Sequence, residues 1–274
     1  MATIHRFDDL AYVHHQRQEM KFLAIGDSCT DRFIYGKCDR ICPEAPVPVF
    51  APIKEVCNGG MAANVQANVK ALDVDCDLIT HSNEILKTRY VDIKTNQMLL
   101  RVDENDQTEE KFNYKDVSWR KYDAILVSNY GKGFLRSCGI RDICQYHDNV
   151  YLDSNKVEMN CDLPVNLRFL KINEHELEIN SHWKHHLVPD KVNPSSYNRP
   201  DQIVVTYGHK GCKYMGKMYP PPERVVAQDL SGAGDTFFAA LAVSMTRVGD
   251  VDTAINYANE CASEVVTKRG VSTV

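Results

Sequence analysis

Apolar residues along this chain fall into two rhythms that alternate. Residues 21–25, 124–128, 150–153, 169–172 and 202–206 are short, nearly continuous apolar runs, the pattern of parallel strands buried on both faces. Between and after them lie helical stretches, an Ala- and Val-rich one to about residue 72, one at about 135–146 and a continuously apolar one through 236–243. The clearest case recurs at Val251, Ala254, Ile255, Ala258, Cys261, Ala262 and Val265. Strand followed by helix, repeated, predicts parallel βαβ units and an α/β sheet covered on both faces. Two stretches break the rhythm. Prolines at 48 and 52 exclude a central strand from residues 47–53, which read as an edge or a lid. Residues 90–102 alternate weakly and predict a hairpin turning at Lys94-Thr95-Asn96-Gln97. Residues 224–227 also read as strand, and residues 1–20 as a short helix or a loose polar tail.

Composition narrows the class. The chain has 274 residues, 43% apolar and 25% charged, enough for one α/β domain with a small lid, taken here as a single domain over 1–274. A net charge of −5 without a Lys/Arg cluster argues against a nucleic-acid partner. No apolar run has the length of a membrane span, and no basic-then-apolar start marks a secretory signal. Ten cysteines include no Cys-x-x-Cys pair; Cys38 and Cys42 lack the second pair that a zinc site needs. Reduced thiols in a cytoplasmic protein are the expectation. His14, His15, His182, His185 and His186 lie in polar segments and read as solvated.

The chemistry concentrates where a turn of small residues, Ser231-Gly232-Ala233-Gly234, runs into the apolar helix that starts near Thr236. A helix N-terminus presents unpaired N–H groups and the positive end of its dipole, which together favour an anion. Glycine lets the backbone approach that anion. Asp235 stands beside the docking place, a position that suits a proton acceptor. Asn58-Gly59-Gly60 precedes a second helix start and offers another close backbone approach.

The run Asp229-Leu230-Ser231-Gly232-Ala233-Gly234-Asp235 resembles the hallmark of the ribokinase (PfkB) family of sugar kinases, with Leu230 for the usual Thr or Val. Arg40-Ile41-Cys42-Pro43-Glu44-Ala45-Pro46-Val47-Pro48 is similar to the segment particular to that family's D-glycero-β-D-manno-heptose-7-phosphate kinases, as is the tail from Lys268 to Val274. The resemblance implies a ribokinase-like three-layer α/β/α sandwich with a β lid from about 32–56 and 88–112. It implies an ATP-dependent carbohydrate kinase with Mg²⁺ and a monovalent cation (K⁺) near Asp229, acting on a heptose phosphate in a lipopolysaccharide-precursor pathway. By family position, Gly232, Ala233 and Gly234 hold the transferring phosphoryl group and Asp235 is the base. Asp31, Gly59, Gly60 and Asn64 hold the sugar, and Arg40 the distal phosphate. Asn173, Thr206, Gly208, Gly211 and Asn259 lie on the nucleotide side, with Glu176 toward the metal. The lid strands form a small sheet with little core of its own, and a homodimer joined through the lids is expected because it covers their edges. The chain departs from the family after Thr80, where one βα unit is missing. Another sugar or nucleoside kinase of the same fold, or a catalytically silent relative, stays open at this point.

Overall fold

The computed structural model describes residues 19–136, 139–155, 163–179, 199–222 and 225–274. The expectations for residues 1–18, for Arg224 and for the three histidines at 182, 185 and 186 lie outside them.

Twelve strands are described. They are β1 (Lys21–Gly26), β2 (Ser28–Ile41), β3 (Pro48–Met61), β4 (Asp75–Ile79), β5 (Leu86–Asp92), β6 (Met98–Glu104), β7 (Ala124–Asn129), β8 (Val150–Ser154), β9 (Leu167–Asn173), β10 (Ile203–Thr206), β11 (Cys212–Tyr214) and β12 (Lys217–Tyr219). The α-helices are α1 (Ala62–Ala71), α2 (Gly139–Tyr146), α3 (Glu174–Ile179), α4 (Ala233–Val248) and α5 (Val251–Val265). Eight strands form the main sheet in the order β12-β11-β10-β9-β8-β7-β1-β4. It is parallel from β4 to β10, and β11 and β12 return antiparallel.

Side chains of the buried strands point alternately to two cores. Phe22, Ala24, Leu126, Tyr151 and Val204 pack against α1, α4 and α5. Leu23, Ile25, Ile125, Leu152 and Val205 pack against α2, α3 and the Phe112–Tyr122 segment. The expected three layers are therefore present. Helix α4 is buried all round from Asp235 to Met245, which is why its text is apolar without an amphipathic stripe. Gly249, in the left-handed region at φ 74°, ends α4, and Asp250 opens α5 by accepting the Thr253 N–H at 2.8 Å.

The second sheet, in the order β3-β2-β5-β6, stands off the first. The proline-bearing β3 is its edge, as the sequence requires. In β2, Cys29, Asp31, Phe33 and Tyr35 alternate inward with half-buried residues outward, the period of a sheet wet on one face. The inner face rests on the chain's C-terminal segment through Phe33, Tyr35, Val91 and Val271.

Three expectations need correction. The lid's second part is β5 and β6 and ends at Glu104, whereas Phe112 belongs to the main core. Val225, Val226 and Ala227 form no strand; they are exposed, because no neighbouring strand offers them a ladder. Helix α2 begins at Gly139, not near 135. After β4 the chain enters β5 within a few residues, so β4 is an edge of the main sheet. Its exposed side is charged: Lys21 pairs with Asp75 at 2.9 Å and with Asp77 at 3.2 Å, and Asp77 also accepts the Tyr122 hydroxyl at 2.8 Å. Charges of this kind discourage edge-to-edge pairing.

Candidate active site

The small-residue turn is built as the sequence suggests. Gly232 caps α4 in the left-handed region at φ 82°, a conformation glycine adopts without penalty. A Cβ there would stand 2.7 Å from the Asn64 amide. The first N–H groups of α4 have no carbonyl one turn earlier; that of Ala233 makes only a 3.4 Å bond to Leu230. Behind Gly234 stands the Lys171 ammonium, 3.2 Å from where a Cβ would be. It adds positive charge to a place the helix dipole already makes attractive to phosphate.

Asp235 is 5% exposed. Asn64 donates to its Oδ2 at 2.9 Å and the Tyr130 hydroxyl to its Oδ1 at 3.1 Å. Burial and the Asp153 charge push its pKa from the usual 3.8 to about 7, although the Asn64 bond, Lys171 and Tyr130 pull it down. A base poised near neutrality is well matched to taking a proton from a hydroxyl. Burial, with the Asp235 charge, holds the Tyr130 phenol well above its ordinary range, so it stays a donor.

Two supports fix that carboxylate. Thr236 donates to Asn68 at 3.0 Å, Asn68 donates to the Asn64 side-chain oxygen at 3.1 Å, and Asn64 reaches Asp235. This is a satisfied buried network, the kind that specifies a single geometry. The other support is Asp27, fully buried after β1. Its carboxylate accepts the N–H groups of Tyr130 at 2.9 Å, Lys132 at 3.1 Å and Phe134 at 3.4 Å, and so sets the loop that carries Tyr130.

A cavity of about 170 Å³ opens above Asp235, and its lining includes Asp31, Met61, Lys87, Arg89, Arg101, Tyr130 and Gly232. Asp31 and Arg89 form a buried ion pair across β2 and β5. Gly60 lies so close to the Asp31 carboxylate and the Cys29 sulfur that a Cβ would collide with both. Met61 holds φ at 58°, a strained conformation for its side chain and one met most often at functional positions. Of the expected acceptor residues, Asp31 lines this cavity and Gly60 is packed against its carboxylate, while Gly59 is exposed on β3. Asn64 reaches the site through Asp235 instead of presenting a free amide to a sugar. Arg40 is exposed on β2, paired in register with Val49 at the outer end of the lid and outside the cavity lining. The cations that do line the cavity, Lys87, Arg89 and Arg101, were missed. Their signal was available: Lys87 and Arg89 share a face at strand spacing, and Arg101 is the register partner of Arg89.

On the far side of α4, at the carboxyl ends of β9 and β10, lie Asn173 and Thr206. Gly208 and Gly211 flank a tight turn with φ of 54° and 85°. Asn259 is buried and donates to the Tyr219 carbonyl at 3.0 Å, tying α5 to β12. Asn173 and Glu176 cap each other: the Glu176 carboxylate accepts the Asn173 N–H at 2.7 Å, and the Asn173 side chain accepts the Glu176 N–H at 2.9 Å. Burial raises the Glu176 pKa against the opposing pull of Lys171. Among the described residues no three His, Cys, Asp or Glu side chains gather into a metal cage. One half-buried carboxylate fits Mg²⁺ that arrives with a nucleotide, since that ion keeps water and phosphate ligands. The Asp229 carboxylate, where the resemblance places a monovalent cation, joins two loops by accepting N–H groups from Ser231 at 2.8 Å and Gly270 at 3.2 Å.

Comparison with known proteins gives this site its setting. The model of the pfkB family carbohydrate kinases matches residues 61–274, which contain the turn, Asp235 and the whole nucleotide side. This chain belongs to the pfkB family of carbohydrate kinases. Among its relatives, the bifunctional protein HldE of a Nitratiruptor species is 27% identical, over 92% of this chain and 63% of the relative. HldE of Bradyrhizobium diazoefficiens is 28% identical, over 92% and 60%. The chain thus spans a little over three fifths of the relatives' length. The Nitratiruptor alignment runs over 303 positions against the 274 residues of this chain, so the relative carries segments that this pfkB chain lacks. Among solved structures, ribokinase of Thermotoga maritima superposes with a TM-score of 0.65 at 17% identity, covering 92% of this chain and 94% of that one. Arabidopsis thaliana ribokinase, complexed with ribose and ATP, gives 0.60 at 15%, covering 92% and 94%. The fold is ribokinase-like, with the small sheet in the place of a lid.

Proposed function

We propose that this chain transfers the γ-phosphoryl group of ATP to a hydroxyl of a sugar phosphate, with D-glycero-β-D-manno-heptose 7-phosphate as acceptor and the 1,7-bisphosphate as product. The observation that carries the reading is Asp235, buried directly behind an anion-binding helix start and held at a pKa of about 7. Phosphoryl transfer asks mainly for positioning and charge stabilisation. The acceptor hydroxyl lies in the cavity against Asp235, which takes its proton as the oxygen attacks phosphorus. The turn at Gly232, Ala233 and Gly234 and the nearby Lys171 offset the charge on the moving group. Mg²⁺, held with the nucleotide near Glu176, neutralises phosphate charge when bound. The heptose assignment is supported by the likeness to the HldE proteins and by the cationic cavity. ADP release over heptose, hexose and pentose phosphates and their unphosphorylated forms is the test. The heptose 7-phosphate gives the highest kcat/KM; a preference for a free sugar or a nucleoside would reject the assignment. The chain lacks segments that its relatives carry, and with less protein to enclose the acceptor, discrimination within the panel stays below the roughly 10,000-fold that a fully hydrogen-bonded site can reach.

Two copies pair through their lids in this reading. Ile41, Ile53, Met98, Leu100 and Val102 are exposed on the small sheet, and β6 is an open edge. Pairing covers both liabilities. Light scattering at micromolar concentration gives twice the 31.1 kDa chain mass, and a monomer there removes this part. A cytoplasmic location fits the eight described cysteines, all free, and no helix among the described residues is long and apolar enough to cross a membrane. Nucleic acid is not among the proposed partners.

A further inference from the structure

One charge in the acceptor cavity has no answer in the fold. Lys87 on β5 is 7% exposed and lines the cavity. Among the described residues its ammonium donates no hydrogen bond and joins no ion pair; its contact is the face of the Tyr130 ring, 5.7 Å from the centroid. The neighbouring cations are engaged. Arg89 pairs with Asp31, Arg101 holds Asp103 through two 2.6 Å bonds, and Lys171 holds Asp153 at 2.8 Å. Its register partners, Asp31 on β2 and Asp103 on β6, are the carboxylates those arginines hold.

An ammonium on a side chain this buried, with no protein partner and only the cavity to solvate it, is disfavoured, and native proteins seldom keep one without a use. The ring contact offsets part of that cost. The remainder points to a partner that arrives with the ligand, and it must be an anion. Arg89 lines the same cavity and gives Asp31 one bond from a guanidinium with five N–H donors, so donors remain beside Lys87 for a group with several acceptor oxygens, such as a phosphate. Tyr130 touches both groups that matter, with the ammonium over its ring and its hydroxyl on Asp235. The cation and the base therefore face one cavity from either side of that residue.

We propose that Lys87 binds the phosphate of the sugar-phosphate acceptor, at the end of the molecule away from the hydroxyl that Asp235 deprotonates. The assignment rests on the reading of the chain as a sugar-phosphate kinase. It moves the phosphate-reading role from Arg40 at the rim to a residue inside the cavity.

The test compares the wild type with Lys87→Met and Lys87→Arg, by calorimetric titration with D-glycero-D-manno-heptose 7-phosphate, the unphosphorylated heptose and ATP with Mg²⁺. Thermal melts run beside it. The wild type binds the phosphorylated sugar more tightly than the free one. Lys87→Met loses roughly 10- to 100-fold of affinity for the phosphorylated sugar, the range of one hydrogen bond to a charged group. It leaves the free sugar and ATP unchanged, and Lys87→Arg retains part of the preference. The melting temperature of Lys87→Met stays level or rises, since a buried unpaired charge has been removed; a merely structural lysine would lower it. If the wild type prefers the phosphorylated sugar and Lys87→Met keeps that preference, the Lys87 assignment alone is overturned. A loss confined to ATP shows that the charge serves the nucleotide, and overturns it equally. If the wild type shows no preference for the phosphorylated sugar, the sugar-phosphate reading fails and takes the assignment with it.

Discussion

Asp235→Asn lowers turnover by roughly 100- to 10,000-fold, the usual contribution of a positioned general base, and leaves ATP binding nearly intact. The carboxylate faces the acceptor cavity and is anchored by Asn64 and Tyr130, so the substitution removes proton acceptance with little change of shape. Single-turnover rates with saturating ATP measure it directly; a variant retaining more than half the wild-type rate excludes the role. The wild-type rate rises with pH through about 7 as the carboxyl ionises, and that limb is absent in the variant. Stability moves the other way. The folded pKa lies above the unfolded value of 3.8, so this group's contribution is full below about pH 4 and is lost as pH rises through about 7. Thermal melts of the wild type fall across that window relative to those of Asp235→Asn. Parallel curves would mean that Asp235 is not perturbed.

Lys171→Met destabilises the fold by about 3–5 kcal/mol, the cost of leaving one member of a buried pair uncompensated. Lys171 and Asp153 are 5% and 4% exposed and 2.8 Å apart. Burial works against the Lys171 charge, but the Asp153, Glu176 and Asp235 carboxylates outweigh it and raise its pKa. Burial pushes Asp153 up against the pull of Lys171. Urea unfolding measures the loss, and adding Asp153→Asn to Lys171→Met recovers much of it, because the stranded carboxylate is then gone. The kinetic effect is separable. Lys171 also draws the Asp235 pKa down, so its removal shifts the acid limb of the rate profile to higher pH. An unfolding free energy within about 0.5 kcal/mol of wild type, or an unmoved limb, contradicts this account.

Elements whose meaning lies within a few neighbouring residues were legible in the sequence. The turn before Asp235, the β3 edge forced by Pro48 and Pro52, the hairpin at residues 94–97 and the all-round apolar α4 are of this kind. Each depends on backbone freedom or on periodicity, which a short stretch states completely. Residues whose role depends on a distant partner were not legible. Asn64 looks like a sugar ligand until α1 is packed on α4, where its amide meets Asp235. Arg40 drew attention through its motif, yet the register of β2 with β3 carries it to the rim. Asp153 and Lys171, 18 positions apart, become a pair only when β8 and β9 align.

The two strands that leave the main sheet for the lid do so beside the chemistry. Asp27 alone separates β1 from β2, and Met61 ends β3 directly before α1; the Ala62 N–H donates to the Asp27 carbonyl at 3.0 Å and joins the two crossings. Asp27 also grips the Tyr130 loop, and α1 carries Asn64. A swing of the small sheet therefore turns about the residues that aim the base. A substitution at Asp27 or Met61 is therefore felt twice, in the cavity through Asp31, Lys87 and Arg89 and at the base through Asn64 and Tyr130.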